Sequence, residues 1–442
     1  MAANIRTGEA ERLAALLRIP TESKHDTAET DWHAFDAFRE QLAALFPNTF
    51  ATLELELIEG HTILALWKGR SAVGPSLLMA HQDVVAADGD GWSYPPFEGV
   101  IDNGTLWGRG AIDDKASLAG LLEATEALIT DGHVPARDVW FLFGHDEETL
   151  GTGASAAVDA LARRGIRPAF VLDEGGAIVE APIQGVKRPI AAIGVAEKGM
   201  NSIRLSVQQQ GGHASTPPRM AATSRLARAI RRIDLSSFPQ AIPEPSLAMF
   251  ETLGAHAEGM TGFVLRNARR LQPLLATVLA KSDETRAMLS TTAVVTMLEG
   301  AKAANALAEE ASAVLNVRIA VGSSVAETMR QLEAMVKDEQ VSLAVLVANE
   351  PSPISSTASE SWDALLESIA RSYPDAIPVP YVMTGGTDSR FACAISDNVY
   401  RFTPFVFTAA ERAALHARDE HIDLASYSRG CRAYLDLIET VC

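Results

Sequence analysis

Cysteine is scarce: only Cys393, Cys431 and Cys442 occur in 442 residues. An odd number with no paired spacing excludes a disulfide framework. It also argues against a cysteine-ligated zinc site and fits a reducing, cytoplasmic compartment. Positive charge is short as well, with 38 Lys and Arg against 56 Asp and Glu and a net charge of −18. So acidic a chain repels polyanions, which speaks against nucleic acid and anionic membrane as partners. The one basic stretch, Arg225 to Arg232, reads as a solvated helix face. No apolar run approaches the ~18 residues of a membrane span. Met1 to Pro20 carries charges throughout and lacks an apolar core, so it reads as a short amphipathic helix and not as a signal peptide. No internal repeat or long linker is present. What remains, at 47% apolar and 21% charged residues, is an ordinary globular enzyme composition with length for two or three domains.

The first half alternates short apolar runs with helical patterns. Ser76 to Ala80, Asp138 to Gly144 and Ala169 to Leu172 predict buried strands; Ser117 to Thr130 and Ala154 to Arg164 predict helices. That alternation predicts an α/β domain with helices on both faces of its sheet. The middle differs. Met200 to Gln208, Thr292 to Leu298 and Ala313 to Ala320 predict strands, and Ala221 to Ile233 and Val325 to Val336 predict helices. This reads as a smaller α+β module inserted into the first domain. The expected division is 1–197 and 351–442 for the catalytic domain and 198–350 for an inserted lid and dimerisation domain. A Pro-rich stretch from Pro374 to Pro380 and a last helix from Ile422 to Glu439 close the chain.

Polar residues bunch just after the predicted strands, where open α/β sheets bind ligands. His81 and Asp83 are two apart, so extended chain points both to one face. A carboxylate there can orient the imidazole toward a metal. Asp113-Asp114 follow the Gly-Arg-Gly at 108–110; an acidic pair before a helix also reads as a cap. Glu147 and Glu148 end the run His145-Asp146-Glu147-Glu148. So many ionisable groups beside buried backbone need compensation, which a divalent cation supplies. Asp173-Glu174 repeats the pattern, and His416 and His421 lie near the C-terminus. Two histidines and three carboxylates suit two divalent ions with one carboxylate bridging. Zn2+ is favoured by such ligands, and Co2+ or Mn2+ fit the same set.

The order of these motifs resembles the co-catalytic zinc amidohydrolases, the family of aminoacylase, carboxypeptidase S and glutamate carboxypeptidase. It runs from His-x-Asp at 81–83 through Asp113-Asp114-Lys115, Asp146-Glu147-Glu148 and Leu172-Asp173-Glu174-Gly175 to Gly211-Gly212-His213 and the late His416. The resemblance is closest to the carboxypeptidase S and aminoacylase branch, through Leu172 to Gly176 and Thr384-Gly-Gly-Thr-Asp-Ser-Arg390. It implies that His81, Asp113, Glu148 and His416 hold the metals, with Glu174 or Asp173 completing the set. It further implies that Asp83 orients His81 and that Glu147 is the general base. His213 matches a histidine that reaches the active site of the partner in a homodimer. Asn305 and Arg318 match residues that hold the oxyanion or a substrate carboxylate, though Asn316 stands where the family often has aspartate. Arg390 matches a second carboxylate grip, and Gly385 and Gly386 expose backbone N–H groups to substrate.

The expected activity is metal-dependent hydrolysis of an N-acyl amino acid or a small peptide with a free C-terminal carboxylate. A dipeptidase or an N-carbamoyl or N-succinyl amidohydrolase is the alternative on the same scaffold. A non-catalytic metal or amino-acid binding protein is the alternative from another class; it predicts losses among the catalytic positions, and none is missing.

Overall fold

The computed structural model describes residues 3–87, 89–149, 151–181, 183, 185–280 and 286–442. Two compact units emerge. One joins Met1–Val195, Ser355–Pro380 and Thr387–Cys442; the other joins Ala196–Ile354 and Tyr381–Gly386. The expected borders shift by a few residues, and Tyr381–Gly386 leaves the closing catalytic segment for the second unit. The reason is local. Lys198 N–H donates to the Met383 carbonyl at 3.0 Å, and Gly386 lies so close to Met200 that a Cβ there would meet its Cε at 3.0 Å.

The first unit has the expected α/β architecture. Its mixed sheet runs Glu54–Ile58, Thr62–Trp67, Val139–Gly144, Ser76–His81, Phe170–Asp173, Val399–Arg401, Ile190–Glu197 and Ile377–Met383, with Ile178–Val179 paired beside Ile190. Ser76–His81 and Val139–Gly144 are buried along their whole length. Strands covered on both faces read as unbroken apolar runs, which is how these two stand in the sequence. The register pairs His81 with Gly144 in parallel, and Leu78 with Leu172. The carboxyl ends of three parallel strands therefore meet at one edge.

Helices cover both faces. Lys115–Thr130 is buried from Lys115 to Leu128. Its Gly120 permits close contact with the helix Leu424–Val441, since a Cβ there would meet the Tyr434 ring at 2.9 Å. The N-terminal helix is Glu9–Leu17, with Leu13, Leu16 and Leu17 in the same core. Two expectations change. The last helix starts at Leu424, because His421–Asp423 pairs as a strand with Thr105–Trp107. The Pro-rich stretch becomes the strand Ile377–Met383 at the end of the sheet, a place where proline's missing N–H is tolerated.

The second unit is α+β. Its antiparallel sheet runs Thr292–Glu299, Glu310–Ile319, Gly199–Gln208 and Ser342–Val347. Odd-numbered residues from Ile203 to Val207 and from Ala311 to Ile319 form a core with the helices Ala222–Asp234 and Val325–Val336. Arg225 and Arg228 do not face solvent alone, since both pair with Asp338. Among the described residues no helix is long and apolar enough to cross a membrane.

Candidate metal centre

His81 closes its strand with only 1% of its surface exposed. Its Nδ1 donates to the Asp83 backbone oxygen at 2.9 Å and lies 3.3 Å from Asp83 Oδ1. This fixes the tautomer and leaves Nε2 as the free ligand atom. That atom is 2.9 Å from Asp113 Oδ1 and 3.5 Å from Glu174 Oε1. On the other side, His416 Nε2 is 2.9 Å from Asp113 Oδ2 and 3.2 Å from Glu148 Oε2. Asp113 thus turns one oxygen to each of two groups, His81 with Glu174 and His416 with Glu148. In each group the ligand atoms lie within 4.8 Å of one another. His416 holds φ 57°, in the left-handed region that non-glycine residues rarely adopt.

The electrostatics match a site built for cations. Burial would raise Asp113, yet the imidazoles of His416 and His81 hold it below the usual carboxylate range. Burial pushes Glu174 up to about 8, helped by the charge of Asp113. Bonds to Asp113 and Glu148 hold His416 up at about 10. Three crowded carboxylates thus lean on two imidazoles for positive charge. Divalent ions would replace those protons and satisfy all five side chains, a donor set of nitrogen and oxygen typical of zinc-type sites. The residues fit the metals that the motifs imply.

Asp83 ties the site together. Its Oδ1 accepts from Glu147 N–H at 3.1 Å and its Oδ2 from Glu148 N–H at 3.1 Å and Ser23 hydroxyl at 2.6 Å. Glu147 stands outside both ligand groups. Burial raises its carboxyl well above the ordinary value, with the charges of Glu174 and Asp388 adding to the effect. Asp173 goes elsewhere: its Oδ2 accepts from Ser389 N–H at 2.8 Å, and among the described residues it joins neither ligand group.

The remaining expected residues fall apart into local sets. His213 and Asn305 meet in a small ladder, where His213 pairs with Ala306 and Ala214 N–H donates to Asn305 O at 3.0 Å. Arg318 lies on the four-stranded sheet opposite Met200, and its Nε donates to Asn316 Oδ1 at 3.1 Å. The asparagine that replaces the family's aspartate therefore still partners the arginine. Arg390 donates from Nη1 to Thr387 O at 3.0 Å and stacks on the Phe391 ring. Gly385 and Gly386 belong to the second unit.

Two residues escaped the sequence reading. Glu420 is fully buried and accepts from Arg109 Nη1 at 2.7 Å and from the N–H groups of Gly110, Ile112 and Asp113. It anchors the loop that presents Asp113. Its place in the late histidine motif was the available signal. Asp388 is 3% exposed, and among the described residues neither carboxylate oxygen has a hydrogen-bond partner. It lies against Gly144 and Gly151, where a Cβ would come within 2.4 and 2.6 Å of it.

Residues 77–440 match the model of peptidase family M20/M25/M40. The chain belongs to this family. It is 33% identical to a probable carboxypeptidase S-like 2 of Dictyostelium discoideum, over 97% of this chain and 84% of that one. It is 31% identical to the human N-fatty-acyl-amino acid synthase/hydrolase PM20D1, over 98% of this chain and 88% of that one. In fold it is similar to the M20 family metallo-carboxypeptidase Sso-CP2 from Sulfolobus solfataricus, with a TM-score of 0.72, 18% identity and 99% of both chains covered. The carboxypeptidase S branch expected from the motifs is therefore the right one. The protein is a metallohydrolase of amide or peptide bonds that depends on divalent metal ions.

Proposed function

We propose that the chain releases an amino acid from an N-acyl amino acid, or from the C-terminus of a small peptide, using two Zn2+ ions. One observation carries this reading: Asp113 is shared by two ligand groups, with Glu147 half-buried beside them and in neither. His81, Asp113 and Glu174 would hold one ion and Asp113, Glu148 and His416 the other. Bound there, the ions supply Lewis-acid polarisation and make water more acidic. Glu147 takes the proton of the attacking water and hands it to the leaving amine. A carboxyl raised by burial suits that double task, because it must accept and return a proton near neutral pH. His213 donates to the carbonyl oxygen of substrate held by a second copy of the chain in a homodimer. Its ring is exposed, and among the described residues only Nδ1 is engaged, by Ser215 Oγ at 2.8 Å and by Ser215 N–H at 3.1 Å, which leaves Nε2 available. Asn305, Gly385 and Gly386 supply further donors, while Arg318 and Arg390 grip the free carboxylate. The free thiols fit a cytoplasmic protein.

Glu147→Ala tests the base. The variant should keep its full metal content and lose turnover by roughly a hundred- to ten-thousandfold. Substrates would be N-acyl amino acids of short and long chain and a set of dipeptides, assayed before and after chelation and with Zn2+ restored. Full activity in Glu147→Ala overturns the base; turnover unaffected by chelation overturns the metal site.

A further inference from the structure

Among the described residues, two cations of the second unit, Lys198 and Arg318, have no ion pair. The sheet register places Met200 opposite Arg318 and Gly199 opposite Ile319. Ile319 belongs to the apolar core with the helices, so Met200 and Arg318 face the other way. Lys198 links the strands Ile190–Glu197 and Gly199–Gln208, two residues before Met200, and the charge of Arg318 reaches it. Lys198 is only 4% exposed. It is covered by the segment that leads into Thr292: its Nζ donates to Ala287 O at 2.9 Å and to Ser290 O at 2.8 Å. The same segment is stitched to Arg318's strand, since Thr292 pairs with Arg318 and Thr291 Oγ1 accepts from Ala320 N–H at 3.1 Å.

Two neutral carbonyls leave the ammonium charge uncompensated and one of its three donors unused. Among the described residues Arg318 spends only its Nε, on the neutral Asn316. Among the described residues neither cation has an ion pair, in a chain with an excess of acid. Burial and then the Arg318 charge press Lys198 down to about 8. A pair of adjacent, desolvated cations is stabilised by an anion placed between them. Gly386, packed against Met200 on this face, brings the Gly385-Gly386 backbone alongside.

We propose that Lys198 and Arg318 together seat the substrate's free carboxylate, and that Lys198 makes the site select this anion over a neutral amide. This rests on the proposed function and adds to it a residue and a selectivity rule. Arg318 supplies a planar fork, which the carboxylate shares with the point charge of Lys198 beside the grip of Arg390.

The test separates charge from scaffolding. In a metal-loaded Glu147→Ala background, binding of N-acetyl-L-leucine is compared with that of N-acetyl-L-leucinamide by calorimetry. K198Q keeps a donor for the carbonyls and removes the charge, K198M removes both, and K198R restores the charge. The acid-over-amide preference should fall by roughly ten- to hundredfold in K198Q and K198M and return in K198R. The amide's own affinity should stay unchanged. A preference equal to the parent's in K198Q overturns the proposal, as does a parent that binds both ligands alike. If K198M fails to fold, K198Q and K198R decide the matter. A parent that shows the preference while the chain with Glu147 restored turns nothing over leaves the seat standing and overturns the proposed function. Turnover with a preference that no Lys198 variant changes does the reverse.

Discussion

At the scale of single residues, Glu420 shows how a distant side chain sets the position of Asp113. Its four donors come from Arg109, Gly110, Ile112 and Asp113, about three hundred residues away. The peptide N–H groups of a loop without regular structure would otherwise be buried without partners. Burial raises Glu420, and Arg109 and the backbone N–H groups oppose this. Glu420→Gln keeps the shape and replaces two acceptor oxygens by one acceptor and one donor. The donor would face backbone N–H groups or leave Arg109 without its anion. Breaking such a buried pair costs about 3 kcal/mol or more. Urea unfolding of the variant should show that loss, and metal titration a weaker site, because Asp113 is no longer held. Unchanged stability together with unchanged metal affinity would show that the loop needs no anchor.

Among elements, the decisive one is the turn between the strand Val139–Gly144 and the helix Thr152–Arg163. Gly151 stands at the helix N-cap without a capping side chain. Asp146 does the work instead. Its carboxylate accepts from Thr152 N–H at 2.8 Å, from Gly153 N–H at 3.0 Å and from the Thr152 hydroxyl. The turn thus closes on itself and hands the Glu147 and Glu148 N–H groups to Asp83. Asp146→Ala should lose about 1–2 kcal/mol, the usual value of a lost cap. It should also lower kcat more than it raises KM, since Glu147 and Glu148 lose their mount. Asp146→Asn should recover most of the stability. A variant with normal kcat would show that Asp83 alone suffices. This element also marks what the sequence made legible. Apolar runs followed by acids are local patterns, so the strands, His81, Asp113, Glu147, Glu148 and His416 could be picked out by reading along the chain. Asp173 and Glu174 could not be told apart, because adjacent residues at a strand end point opposite ways. Ser389, 216 residues on, donates its N–H to Asp173. Ser23 and Glu420 act across similar gaps, and no local spacing reports such a meeting. The Pro-rich strand was missed for another reason: proline signals a break except at a sheet edge, and edges exist only after folding.

For the whole molecule, the metal centre couples stability to pH. Without metal, Glu174 keeps its proton in the folded chain up to about 8, against an ordinary 4.5. His416 keeps its proton up to about 10, against 6.5. Both groups then bind more protons folded than unfolded, so stability falls as pH rises. The window for Glu174 opens at 4.5 and that for His416 at 6.5, so between pH 6.5 and 8 the two act together. Asp83 and Asp113 are held low and have the opposite sign, but only at pH values near or below their ordinary 3.8. Burial presses Lys115 down to about 7, so from there upward it opposes the two raised groups, one against two. Metal binding changes this, because each ion takes the place of those protons and binds more tightly as the ligands lose them. Free metal a thousandfold above its Kd would add ~4 kcal/mol to folding. Melting temperatures of the chelated chain should therefore fall from pH 6.5 to 8, while those of the Zn2+-loaded chain hold. The gap between loaded and chelated protein should widen across that interval. A chelated chain whose melting temperature rises over the same interval would mean that the carboxylates around Asp113 are not crowded in the folded state, and that the two ligand groups do not form without their ions.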